Sequence, residues 1–144
     1  MSLYEVLEEV ILLAAKKHYG QKDKSGKPYI LHPIEVMCSV PTVEEKIVAI
    51  AHDLIEDTDT TLDDLRNLNI PEELVEAIYS VTKRKNEKYS DFIKRASENE
   101  VGIKVKIADI EHNTRQDRVE KLDIIIVQRM MTKYEKALNF LKGR

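Results

Sequence analysis

Apolar positions recur at helical spacing through most of this chain. In residues 2–19, Leu3, Val6, Leu7, Val10, Ile11, Leu13, Ala14 and Ala15 mark one stripe, with Ser2 placed to cap it and Gly20 placed to end it. Residues 20–28, GQKDKSGKP, form a polar loop. A second helix is expected around Pro33, which suits a first turn, and runs through Ile34, Val36, Met37 and Val40 until Pro41 stops it. A third spans residues 43–56 and opens near Thr42, with Glu45 completing a capping box. Thr61 opens a short helix by the same pattern, and Pro71 precedes another over residues 72–83 with Leu74, Val75, Ile78 and Val81 on one stripe. A modest amphipathic helix is expected over residues 89–98. Residues 101–115 alternate locally, which permits a strand, but no second strand candidate exists to pair with it, so a helix is expected there too. The final helix is expected over residues 119–141, with Leu122, Ile125, Ile126, Met130, Tyr134, Ala137 and Leu141 facing inward. The pattern predicts an all-α, single-domain helical bundle over residues 1–144.

Composition narrows the function classes. The chain has 144 residues, 42% hydrophobic and 34% charged, enough for one core of ordinary size. A net charge of −3 gives no global attraction to nucleic acid or anionic membrane, so neither is expected as a partner. Cys38 is the single cysteine, which excludes an internal disulfide and fits a reducing compartment. No charged-then-apolar leader opens the chain and no apolar run approaches membrane-spanning length, so a soluble, cytoplasmic protein is expected. Nothing calls for an obligate protein partner.

The chemistry concentrates in residues 47–59, IVAIAHDLIEDTD. His52 and Asp53 interrupt an apolar run, and Glu56 and Asp57 stand four residues after them. On a continuous helix the second pair lies one turn above the first, which stacks three carboxylates and one imidazole over a hydrophobic floor. Such a column repels itself unless a cation sits in it. His32, before a proline at a helix start, and Asp109, with Asn113 four residues on, are the natural partners elsewhere. A site of His32, His52, Asp53 and Asp109 offers two nitrogens and two carboxylates. That donor set suits Mn²⁺, Fe²⁺, Zn²⁺ or Co²⁺ better than Ca²⁺. Four protein ligands also leave room on an octahedral ion for water and a substrate oxygen. His18 reads as structural, His112 stays outside the ligand set, and the lysines of residues 83–88 read as solvent-facing.

Four stretches carry a resemblance: HYGQKDKSGKPYILHP at 18–33, HDLIEDTDTT at 52–61, VTK at 81–83 and VKIADIEHNTR at 105–115. In order and spacing they resemble the HD-domain metal-dependent phosphohydrolases, and within them the (p)ppGpp hydrolase domain of the RelA/SpoT family. In length the chain is similar to the small stand-alone alarmone hydrolases. The resemblance implies an HD-type helical bundle with Mn²⁺ held by His32, His52, Asp53 and Asp109. It also implies Glu56 and Asp57 as the groups that orient or deprotonate the attacking water, and Lys24, Ser25 and Asn113 as nucleotide contacts. The implied reaction removes the 3′-pyrophosphate of ppGpp to leave GDP and pyrophosphate. Two positions depart from the family pattern. Asp23 stands where the family usually has an arginine that stacks on guanine, and Ile110-Glu111 stand where it tends to have Arg-Leu. An aspartate supplies no planar cation. Hydrolysis of another nucleotide or phosphate ester, and a non-catalytic metal- and nucleotide-binding sensor, are the alternatives.

Overall fold

A computed structural model describes residues 1–143, and every regular element in them is helical. The first helix, α1 (Leu3–His18), begins where Ser2 Oγ accepts the Glu5 N–H at 3.2 Å. It ends at Gly20, whose φ of 85° is the left-handed conformation that glycine adopts without strain. α2 (Leu31–Cys38) and α3 (Val43–Ala51) follow. Thr42 and Glu45 form the expected reciprocal capping box, which satisfies a carboxylate that is otherwise buried. Lys46 Nζ reaches back to Val40 O at 2.6 Å and closes the C-terminal end of α2.

α3 is the axis of the molecule. Residues 47–51 are buried on every side because α1, α2, α6 (Glu72–Ser80) and α8 (Glu100–Asn113) all pack against it. α8 in turn stands between two apolar clusters. Its Val105 joins the main core around α3, while Ile110 joins Phe92 and Ile93 of α7 (Tyr89–Ser97) and Ala137 and Leu141 of α10 (Ile124–Leu141). Gly102 lets α8 close on α6, since a Cβ at that position would collide with Ser80 Oγ. Asn99 caps α8 by accepting from Val101 and Gly102, so the locally alternating segment is a helix, as expected.

Two expected helices are broken. The span 43–56 divides into α3 and a short α4 (Leu54–Asp57). His52 turns inward with its N–H on Ala49 O at 3.4 Å, and Asp53 sits at φ −105° and ψ 0°. The column of one imidazole and three carboxylates is therefore bent at its base, and the bend aims His52 and Asp53 at α8. The C-terminal span also divides, into α9 (Gln116–Val119) and α10, where Asp123 Oδ1 caps the new start by accepting from Ile125 N at 2.9 Å. Ile125 and Ile126 do not face inward: Ile124, Ile125 and Ile126 are 70%, 57% and 49% exposed. Successive residues point in different directions around a helix, and α10 packs on one side only, against α7 and α8. The short α5 (Leu62–Arg66) carries the second capping box, between Thr61 and Asp64. Among the described residues no helix is long and apolar enough to cross a membrane.

Candidate metal centre

Three helices deliver the expected residues to one buried point. His32 comes from the first turn of α2, His52 and Asp53 from the break after α3, and Asp109 from the third turn of α8. His32, His52 and Asp109 each present one donor atom, and these atoms lie within 4.8 Å of one another, a group able to hold a divalent metal ion. His32 Nε2 is 2.8 Å from Asp109 Oδ1, and His52 Nε2 is 3.3 Å from the same oxygen. Asp53 Oδ2 adjoins both rings, at 3.0 Å from His52 Nε2 and 3.9 Å from His32 Nε2.

The donors fit a cation better than they fit one another. His52 Nδ1–H donates to Ala49 O at 2.6 Å, which leaves the lone pair on Nε2. That Nε2 is buried, and neither neighbouring carboxylate meets it with the geometry of a hydrogen bond. His32 Nδ1 is 2.6 Å from His112 Nδ1. Burial and then the repulsion of His32, Arg118 and Arg115 push His112 down to about 4, so His112 is neutral near pH 7. His32 Nε2, on the other side of the ring, lies within hydrogen-bond reach of Asp109 Oδ1. Two imidazole nitrogens and two carboxylates converging on one point form a donor set that suits a divalent cation. Burial alone would discharge His52, but Asp53 and Asp109 outweigh it and hold the imidazole well above its ordinary range. That preference for positive charge is one a metal ion can meet.

Neighbours hold the set in place. Lys106 Nζ donates to Asp109 Oδ2 at 2.8 Å, and Asn113 Nδ2 donates to Asp109 Oδ1 at 3.2 Å. Burial opposes ionisation of Asp109, yet Lys106, His52 and His32 together keep its carboxyl well below the usual range. The Tyr29 hydroxyl donates to Asp53 Oδ2. Sequence reasoning missed Tyr29 and Lys106, although Lys106 stands three residues before Asp109 on one helix face, a readable pairing. His112 braces His32. His18 supports the rim, with Nδ1 2.8 Å from Gln21 Oε1 and its ring 5.2 Å from that of Tyr29.

Glu56 and Asp57 line a cavity of about 360 Å³ together with His32, Asp53 and Asp109. Partial desolvation at the cavity wall raises both carboxyls above the ordinary range, offset for Glu56 by the backbone N–H of Lys83 and increased for Asp57 by the charge of Asp53. Lys83 lines this cavity, whereas Lys85 and Lys88 in the same basic run are exposed as expected. Lys24, Ser25 and Asn113 line a second cavity of about 260 Å³. Tyr29, Asn113 and Tyr134 border both cavities and join them.

Asp23 in the second cavity is a loop-building residue. Its Oδ1 accepts from Ser25 N at 2.8 Å and Lys27 N at 2.9 Å, and its Oδ2 is 3.6 Å from Arg118 Nη1. The guanidinium absent from position 23 is thus present in this cavity from α9, and its Nη2 donates to Asn113 Oδ1 at 3.4 Å. Glu111, of the second departing pair, is exposed, while Ile110 is buried in the smaller core.

No family model matches the chain. Among curated proteins, it is 33% identical over 123 residues to the bifunctional (p)ppGpp synthase/hydrolase SpoT of Escherichia coli, a match that covers 76% of this chain and 18% of that relative. It is 42% identical over 71 residues to the guanosine-3′,5′-bis(diphosphate) 3′-pyrophosphohydrolase MESH1 of Danio rerio, covering 44% of this chain and 39% of the relative. The chain therefore spans less than a fifth of the first relative's length. Among solved structures it is similar to a metazoan ortholog of SpoT described as hydrolysing ppGpp and playing a role in starvation responses. That likeness has a TM-score of 0.81 at 24% identity and covers 96% of this chain and 86% of the other. The all-α fold is that of this ortholog, and the resemblance drawn from the four motifs holds: the relatives are SpoT and MESH1 proteins.

Proposed function

We propose that residues 1–144 act as one HD domain that hydrolyses ppGpp at its 3′-pyrophosphate, giving GDP and pyrophosphate, with Mn²⁺ held by His32, His52, Asp53 and Asp109. The observation that carries this reading is the buried convergence of His32, His52 and Asp109, with an unpartnered His52 Nε2, beside two carboxylates of raised pKa in one cavity. The activities named for the SpoT and MESH1 relatives supply the substrate.

When bound, a divalent cation supplies Lewis-acid charge that acidifies a water and balances a phosphoryl group. The chain's own residues do the rest. Glu56 and Asp57 orient the attacking water and take its proton, a task their raised carboxyl pKa values suit. The water oxygen bonds to the phosphorus attached to the ribose 3′ oxygen, and the bond from that oxygen to phosphorus breaks. The ribose oxygen leaves with its electron pair and regains a proton, so the water's oxygen ends on pyrophosphate. Lys24, Ser25 and Asn113 contact the nucleotide from the adjoining cavity.

Asp23, in place of the family's usual arginine, supports a second reading, hydrolysis of another nucleotide or phosphate ester. Product analysis after mixing Mn²⁺-loaded protein with ppGpp separates the readings. GDP and pyrophosphate, absent with chelator, are expected. Turnover of another nucleotide in place of ppGpp supports the second reading, and tight binding of ppGpp without products makes the protein a sensor and overturns the hydrolase.

A further inference from the structure

The metal-side cavity has a cationic edge that the proposed reaction does not yet use. Lys83, Lys106 and Lys133 all line it, from three different segments of the chain. Lys106 is already paired with Asp109 at 2.8 Å. Lys133 pairs with no carboxylate among the described residues. Its Nζ instead lies 4.7 Å from the ring centroid of Tyr89 and 4.8 Å from that of Tyr134. These rings fix the ammonium at the cavity edge without neutralising it. Tyr89 also lines the cavity, and its hydroxyl is buried with no hydrogen-bond partner. A buried, unsatisfied donor is unfavourable unless a ligand fills it. The combination of an unneutralised ammonium and an unsatisfied hydroxyl, beside the carboxylates and imidazoles of the metal centre, selects a ligand with a second negative group beyond the reacting one.

We propose that Tyr89 and Lys133 form a clamp for the distal phosphate of a pyrophosphate group whose proximal phosphorus is the one attacked. This rests on the hydrolase reading and assigns two residues of this chain to recognition of the distal phosphate. Two further features agree. Burial, and then repulsion from Lys106, Lys24 and Lys83, hold the Lys133 ammonium below the ordinary lysine range. Burial also raises the Tyr89 phenol to about 12, so it remains a donor at neutral pH. Lys83, half-buried at the same edge, adds charge to the clamp.

The test measures equilibrium binding of labelled inorganic pyrophosphate and of orthophosphate to Mn²⁺-loaded protein, alongside Mn²⁺ stoichiometry and ppGpp kinetics. Lys133→Ala and Tyr89→Phe are each expected to weaken pyrophosphate about tenfold or more. Orthophosphate affinity and Mn²⁺ stoichiometry stay unchanged, and the loss for ppGpp appears mainly in KM. Lys133→Arg is expected to restore most of the affinity. Tyr89→Phe removes an unpaired buried hydroxyl, so its thermal stability should equal or exceed that of the parent, which separates a ligand role from a structural one. Unchanged pyrophosphate affinity in both variants overturns the clamp, and so does an equal loss for orthophosphate. Failure of ppGpp turnover in the parent, with the pyrophosphate loss still seen in Lys133→Ala, overturns the hydrolase reading and leaves the clamp standing.

Discussion

The two apolar clusters of this molecule are built to different standards. Around α3, residues 47–51 and Leu54 are fully buried, and the histidines and Asp109 that meet above them are nearly so. Around α10, only Ala137 and Leu141 of an eighteen-residue helix are buried, and three successive isoleucines face outward at its start. Metal ligands need positions fixed to a fraction of an ångström, which close packing on all sides supplies. The α7–α10 layer contributes Tyr89 from α7, and Lys133 and Tyr134 from the one-sidedly packed α10, to the same cavity. The metal side of the cavity is packed on all sides, and the other side is backed by a helix packed on one side only.

The largest effect that can break this contrast is at the centre itself. His52→Ala should abolish Mn²⁺ binding and turnover, taking metal stoichiometry from one to zero by elemental analysis of dialysed protein. Retained metal with normal activity would remove the distinction between the two sides. Next in size, Glu56→Gln should keep the metal but lower kcat by roughly 10²–10⁴-fold, as expected when a proton acceptor is lost. The sign of its pH dependence follows from the raised folded pKa. Activity needs the ionised form, so it falls as pH drops through a value above the ordinary glutamate range, and that limb disappears in the variant. Linkage runs the other way for stability. The contribution of Glu56 is fully present below its unfolded pKa and is lost as pH rises through the folded one, so Glu56→Gln is expected to stabilise the protein near neutrality.

Smaller effects sharpen the contrast by packing alone. Ile50→Ala, in the fully buried heart of α3, should cost about 2–5 kcal/mol in denaturant unfolding. Ile125→Ala, at 57% exposure, should stay within about 0.5 kcal/mol. Similar losses at both sites would mean that α10 is packed as tightly as α3.

The sequence made the helices legible because they depend on local pattern, and it named four side chains, His32, His52, Asp53 and Asp109, that the fold brings together. Capping boxes at Thr42 and Thr61, the glycine after α1 and the period of the apolar stripes are short-range signals, and each appears where expected. The break at His52 was not legible, since its cause is tertiary: the ring and Asp53 turn toward α8. The exposure of Ile125 and Ile126 was hidden for a similar reason, because periodicity shows that a helix has an apolar face but not how much protein lies beneath it. Tyr29, Lys106 and Lys133 act through partners 24, 3 and 44 positions away, Asp53, Asp109 and Tyr89. Only the Lys106 pair falls within one helix. Asp23 was read as a missing cation, and the fold shows that it builds the loop and faces a cation brought by Arg118.

The most direct test of the central claim is a crystal soaked in Mn²⁺ and measured for anomalous scattering. The account predicts one strong peak bounded by His32 Nε2, His52 Nε2, Asp53 and Asp109, lost in crystals treated with chelator. Full-strength scattering elsewhere, with none among these four side chains, would contradict it.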